Sequence, residues 1–143
     1  MKTNTKCHWE HFSHEADIGI RGYGDTMESA FAQAAIAMIA AICDVTTVKA
    51  LTSRQIQCEA PDHELLFVDW LNALIYEMAV GGMLFSRFDI QIDKTVLRAT
   101  AWGEPVDLLR HQPAVEVKGA TYTELKVGQE QNGNWIAQCV IDV

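Results

Sequence analysis

Apolar residues along the chain follow two different spacings, and the change from one to the other marks out the elements. Trp9 to Phe12 and Ile18 to Tyr23 predict short extended pieces, interrupted by polar residues and by Gly19, Gly22 and Gly24. From Met27 the period becomes helical: Phe31, Ala34, Ala35, Met38 and Ile42 recur three and four apart. Asp25 stands where a cap is needed, and Glu28 three residues on completes a capping-box-like pattern. This helix is apolar nearly all round, so it is expected to be buried, ending near Cys43-Asp44. Val45 to Glu59 mixes β-branched and polar residues and reads as one or two strands. A second helix follows Pro61, capped by Asp62. It carries Leu65, Leu66, Val68, Trp70, Leu71, Leu74, Ile75 and Met78 and stops at Gly81-Gly82.

Beyond the glycine pair the period drops to two. Leu84, Phe88, Ile90 and Ile92 alternate with Arg87, Asp89, Gln91 and Asp93, the pattern of a half-buried strand. Thr95 to Trp102 is predicted to pair with it through a turn at Asp93-Lys94. A loop from Gly103 to Pro113 leads into a strand at Val115 to Val127. Asn132-Gly133 then turns the chain into a last strand, Trp135 to Val143. Two main helices and six or seven strands result, with no linker, internal repeat or low-complexity tract. The expected fold is one α+β domain over residues 1–143, a largely antiparallel β-sheet with the two helices packed on it.

Composition narrows the function. At 143 residues, 49% hydrophobic and 21% charged, the chain can bury a core without disulfides or a structural metal. Its 19 acidic against 11 basic residues give a net charge of −8, which argues against direct DNA or RNA coating and suits a cation or a basic partner protein. Cys7, Cys43, Cys58 and Cys139 form no CxxC pair, so packed or half-exposed reduced thiols in a cytoplasm are expected. The start, MKTNTKCHWEHF, lacks the apolar core of a signal peptide. The apolar stretch Ala30 to Cys43 falls short of the roughly 18 residues that would suggest a membrane span, so no membrane partner is expected.

Few residues carry recognisable chemistry. Gly19, Gly22 and Gly24 read GxxGxG, neither a dinucleotide fingerprint nor a phosphate loop, and no GxSxG elbow occurs. His8, His11 and His14 form HxxHxxH. On a helix they would share a face and suit a transition metal; on a strand His11 points away from the other two. Trp9, Phe12 and the nearby glycines favour the strand. Asp17, in HEADIGI, and Asp142, in the terminal CVIDV, each read alone as a turn or surface acid. Together with the terminal carboxylate of Val143 they would form a hard-oxygen set of the kind Ca²⁺ or Mg²⁺ demands, provided the two ends of the chain meet.

The segments SHEADIGIRGYGDTMESAFAQAAIAM, LLFVDWLNALIYEM, GMLFSRFDIQID, LRATAWGEPVD, HQPAVEVKGATYTELKV and VIDV, in that order, resemble the archease family over nearly the whole chain, from about His11 to Val143. Any one motif is weak, but HxADIG, VDWLN, LFSRF, GE and VKxxTY together are highly specific. The resemblance implies an α+β fold with a strand-helix-strand-strand insertion. It also implies a non-catalytic protein cofactor that promotes guanylylation and multiple turnover of an RtcB-type RNA ligase in tRNA splicing and RNA repair, with tRNA reached only through the ligase. It further implies a divalent-cation site, Ca²⁺ foremost with Mg²⁺ or Mn²⁺ as alternatives, at Asp17, Asp142 and the main-chain or terminal oxygens of Val143. Glu104, Arg110, His111 and Lys118 lie in matched segments and are candidate partner contacts, or else solvated loop and strand positions. Glu15 departs from the family pattern, which has threonine there, and this bears on metal preference. Two other readings compete: a metal-dependent small-molecule enzyme using Asp17 and Asp142, and a general chaperone-like module.

Overall fold

The computed structural model describes residues 7–143. Its strands form two antiparallel sheets. The larger is ordered β1 (His8–His14), β2 (Asp17–Gly24), β8 (Trp135–Asp142), β6 (Gly119–Ala120), with β7 (Lys126–Gln129) also pairing β8. The smaller is ordered β3 (Thr52–Glu59), β5 (Val96–Pro105), β4 (Met83–Asp93). Helix α1 (Met27–Ile42) lies between them, against β2 and β8 on one side and β4 on the other, while α2 (His63–Gly81) packs on β3. That position explains the all-round apolar sequence of α1, where Phe31, Ala34, Met38 and Ile39 are among the fully enclosed side chains. The α+β class expected from the sequence is the class found, with the strands divided between two sheets.

Local chemistry shifts several boundaries. Thr26, one residue later than expected, caps α1 by accepting from Ser29 N at 3.0 Å, and Asp25 supports it by accepting from the Ser29 hydroxyl at 3.1 Å. Glu28 does not close a capping box; its carboxylate accepts from Ile92 N of β4 at 3.3 Å. Asp62 caps α2 through Leu65 N at 2.9 Å, and Gly82 ends it at φ 63°, the left-handed conformation glycine adopts without strain. Val45–Thr47 forms a 3-10 turn, so Val45 to Glu59 contains one strand rather than two. The expected loop at Gly103 to Pro113 is strand as far as Pro105, followed by the single turn α3 (Leu108–His111). The expected strand Val115 to Val127 is broken into two short pieces, Gly119–Ala120 and Lys126–Gln129, both paired with β8. A register shift between Phe85 and Arg87 lets Phe85 and Phe88, three apart, both be buried where strict alternation would put them on opposite faces.

Trp70 anchors the junction of the helices. It is fully buried, donates from Nε1 to the Phe31 carbonyl at 3.2 Å and meets Phe88 edge-on at 5.8 Å. Trp70→Phe should cost about 2 kcal/mol through the lost hydrogen bond and the space left behind, measured by urea unfolding. An unchanged midpoint would mean the indole N–H and its extra ring contribute nothing.

Candidate functional site

The two ends of the described chain meet through the pairing of β2 with β8. Ile18 lies opposite Ile141 in that register, so Asp17 and Asp142 stand next to each other one step beyond, on the same face of the sheet. The Val143 N–H donates to Asp17 Oδ1 at 3.5 Å, the long end of such contacts. Across β1, His14 pairs with Asp17. On the far side of β8, Gly119 pairs with Asp142, and the Lys118 N–H donates to the Asp142 carbonyl at 2.8 Å. Asp142 is exposed while Asp17 and Val143 are half-buried. A shallow hollow of about 230 Å³ adjoins Asp17, lined also by His11, Phe12, Ser13 and Ile18.

These donors are hard oxygens, the kind Ca²⁺, Mg²⁺ and Mn²⁺ prefer over sulfur or imidazole. Among the described residues no three His, Cys, Asp or Glu side chains converge on one point. A cation at this edge would therefore take two carboxylates and draw its remaining donors from the Val143 terminus, backbone carbonyls or water. The histidine triplet lies on β1, where alternation places His8 and His14 on one face and His11 on the other. His8 stacks on Tyr23 with ring centroids 4.4 Å apart, and His11 Nε2 donates to the Ala37 carbonyl at 2.8 Å, so the extended reading of HxxHxxH holds.

Glu104, Arg110 and His111 form a separate, closed cluster. Glu104 and His111 are 4% and 3% exposed, so neither is the solvated or contact residue that their sequence positions suggested. Both Glu104 oxygens accept from the Arg110 guanidinium, at 2.7 and 2.8 Å, and Lys49 N adds a third bond at 2.8 Å. His111 Nδ1 accepts from Asp107 N at 2.9 Å, which places the ring proton on Nε2, where it is donated to Glu104 at 2.9 Å. Arg110 also donates to the Thr47 carbonyl at 2.6 Å. The cluster thus ties β5, α3 and the 3-10 turn together. Of the four candidate contacts, only Lys118 adjoins the acidic edge.

The Arg110 guanidinium, with the Lys49 N–H second, holds the Glu104 carboxyl well below its ordinary value of 4.5. Because the folded value is depressed, the stabilisation from Glu104 is fully present above about pH 4.5 and is lost as pH falls toward the folded value. Glu104→Gln should therefore lower Tm most at pH 7, and the gap to the parent should narrow below pH 4. A gap that stays constant from pH 7 to pH 3 would exclude this account.

One network was not foreseen from the sequence. Glu10, Arg21 and Gln138 join the outer face of β1, β2 and β8. Arg21 pairs with Glu10, donates from Nε to Gln138 Oε1 at 2.7 Å and lies over the Phe12 ring, while the Tyr23 hydroxyl donates to Glu10. Only the strand register reveals it, since Arg21 and Gln138 are 117 positions apart. Cys43 and Cys139 are buried, Cys58 is half-buried and Cys7 exposed, all four as free thiols, and burial pushes the Cys139 thiol up to about 12. Among the described residues no helix is long and apolar enough to cross a membrane.

Two antiparallel sheets enclosing one apolar helix, with two carboxylates brought to one edge where the first long strand and the last one pair, define a class of small α+β protein. The chain belongs to the archease family: the family model for the archease protein family (MTH1598/TM1083) matches residues 9–143. It is 40% identical to the protein archease of Pyrococcus abyssi over 139 residues, covering 94% of this chain and 98% of the relative. The protein archease of Pyrococcus furiosus gives the same figures. The solution structure of protein 1598 from Methanobacterium thermoautotrophicum superimposes with a TM-score of 0.81 at 28% identity, over 94% of this chain and 98% of that one. A crystal structure from Thermotoga maritima, described as an archease and possible chaperone (TM1083), shares the fold. Its TM-score is 0.62 at 20% identity, over 92% of this chain and 94% of that one.

Proposed function

We propose that this chain is a non-catalytic protein cofactor of an RtcB-type RNA ligase, acting in the cytoplasm to promote ligase guanylylation and repeated turnover during tRNA splicing and RNA repair. The observation that carries the reading is the acidic edge: Asp17 and Asp142, at opposite ends of an acidic chain, share one face beside the Val143 terminus. An activator needs only to bind one state of its partner better than another. Asp17 and Asp142 offer negative charge to a metal- and phosphate-loaded mouth, and the β2–β8 pairing holds them in place. A divalent cation, Ca²⁺ or else Mg²⁺ or Mn²⁺, would supply a positive centre at this edge when bound. RNA reaches the pair through the ligase, in keeping with a net charge of −8.

The deciding experiment is multiple-turnover RNA ligation by the cognate ligase with and without this protein. Stimulation supports the reading. A competent ligase that is indifferent to the protein overturns it, and turnover of a small molecule by the isolated chain would replace it with an enzyme. Suppression of aggregation among unrelated clients, unaffected by Asp17→Ala, would favour a chaperone-like role instead.

A further inference from the structure

A second, more apolar hollow lies away from Asp17. An open groove of about 230 Å³ runs between the C-terminal half of α2 and the segment after α3, with Ile75, Met78, Met83, Pro113 and Val115 in its walls. The Val106 N–H donates to the Gly82 carbonyl at 2.9 Å, which brings α3 up to the end of α2. Just beyond the lining residues Ala79 and Val106 in the chain, Val80, Leu108 and Leu109 stand 69, 71 and 88% exposed. Large apolar side chains so exposed beside an apolar hollow are the kind of surface that marks interaction sites.

The groove, about 230 Å³ and partly open to solvent, is smaller than the roughly 300–1,000 Å³ usual for a small-molecule pocket, so it suits a few side chains from a larger partner. Its charges select that partner. Glu116 lines it, and exposed Asp107 sits between Val106 and Leu108. The nearby Arg110 is neutralised by both oxygens of Glu104. The groove is also continuous with the acidic edge: Val117 lines it, and the next residue, Lys118, bonds the Asp142 carbonyl.

We infer that this groove docks an amphipathic segment of the ligase, apolar on one face and flanked by Lys or Arg, and so supplies the affinity that holds the acidic edge against its target. The inference rests on the ligase reading above and divides the work: the groove binds, the edge activates. Apolar anchors spaced three and four apart along a helix would seat in such a groove.

Titrating the ligase against wild type, the double variant Leu108→Asp/Leu109→Asp, and Asp17→Ala separates these roles. Both leucines are exposed, so the double variant keeps the parental melting profile. Its Kd should rise about tenfold or more, with stimulation recovered at saturating concentration. Asp17→Ala should bind within about threefold of wild type and stimulate at least about tenfold less even at saturation. Wild-type affinity should fall as salt is raised, and Glu116→Lys should slow association. Undiminished affinity of the leucine variant, or affinity indifferent to salt, overturns the inference while leaving the ligase reading intact. Failure of wild type to bind the ligase overturns both. A leucine-dependent dimer of this chain in sedimentation would assign the groove to a second copy and overturn the inference as well.

Discussion

Gly22→Ala should destabilise the protein by about 3 kcal/mol and lower Tm by roughly 10 °C, a large effect for one added methyl group. A Cβ at Gly22 would fall 2.3 Å from both the Ala30 carbonyl oxygen and the Ala34 nitrogen. Both are backbone atoms of α1, and no side-chain rotation can move them aside. The helix would have to lift from β2, and with it Ala30, Phe31 and Ala34 from the buried layer. Since the whole stability of a domain is about 5–15 kcal/mol, a valine at this position should leave the chain largely unfolded at 37 °C. Gly128 is the control: a Cβ there meets nothing within 4 Å, and Gly128→Ala should stay within about 0.5 kcal/mol of the parent. Urea titration of the three proteins decides the matter, and equal midpoints for the two alanine variants would refute the close-approach argument.

Asp17→Ala should reduce stimulation of the ligase at least about tenfold while leaving the fold intact, within the coupling range usual between interacting sites. Asp17 is half-buried and makes one long hydrogen bond, to Val143, so the substitution should cost at most about 1 kcal/mol of stability. Asp142→Asn keeps the size of the side chain and removes its charge, and should reproduce most of the loss. A matched pair of single-turnover guanylylation and multiple-turnover ligation assays would locate the defect. Full stimulation by both variants would leave an activator whose acidic edge takes no part.

The elements that were legible from the sequence are those whose local chemistry and burial agree. Helix α2 has its aspartate cap, its apolar repeat and its terminal glycine in the order a helix requires, and the structure keeps all three. The strands β4 and β5 and the turn between them followed from alternation, where one face is buried and the other wet. Boundaries slipped where tertiary contacts outcompeted local rules. Glu28 left its capping role for the β4 backbone, and the Glu104–Arg110–His111 cluster folded an apparent loop into a capped helical turn. The segment Val115 to Val127 alternates like a strand, yet its ladder is interrupted at 121–125, where Thr121 and Thr123 both bond to Val140 and Glu124 takes a positive φ of 55°.

The sequence by itself determined the fold class, the two main helices, the family and the pair of terminal carboxylates, because each is written in spacing and residue type within one stretch of chain. Only the tertiary structure decided that Asp17 and Asp142 share an edge, that Glu104 and His111 are interior, and that Val106 and Met78 line an apolar groove. Those facts depend on strand register and helix placement, set by the burial of side chains far apart in the chain, and a one-residue change of register would turn every side chain of a strand to its other face.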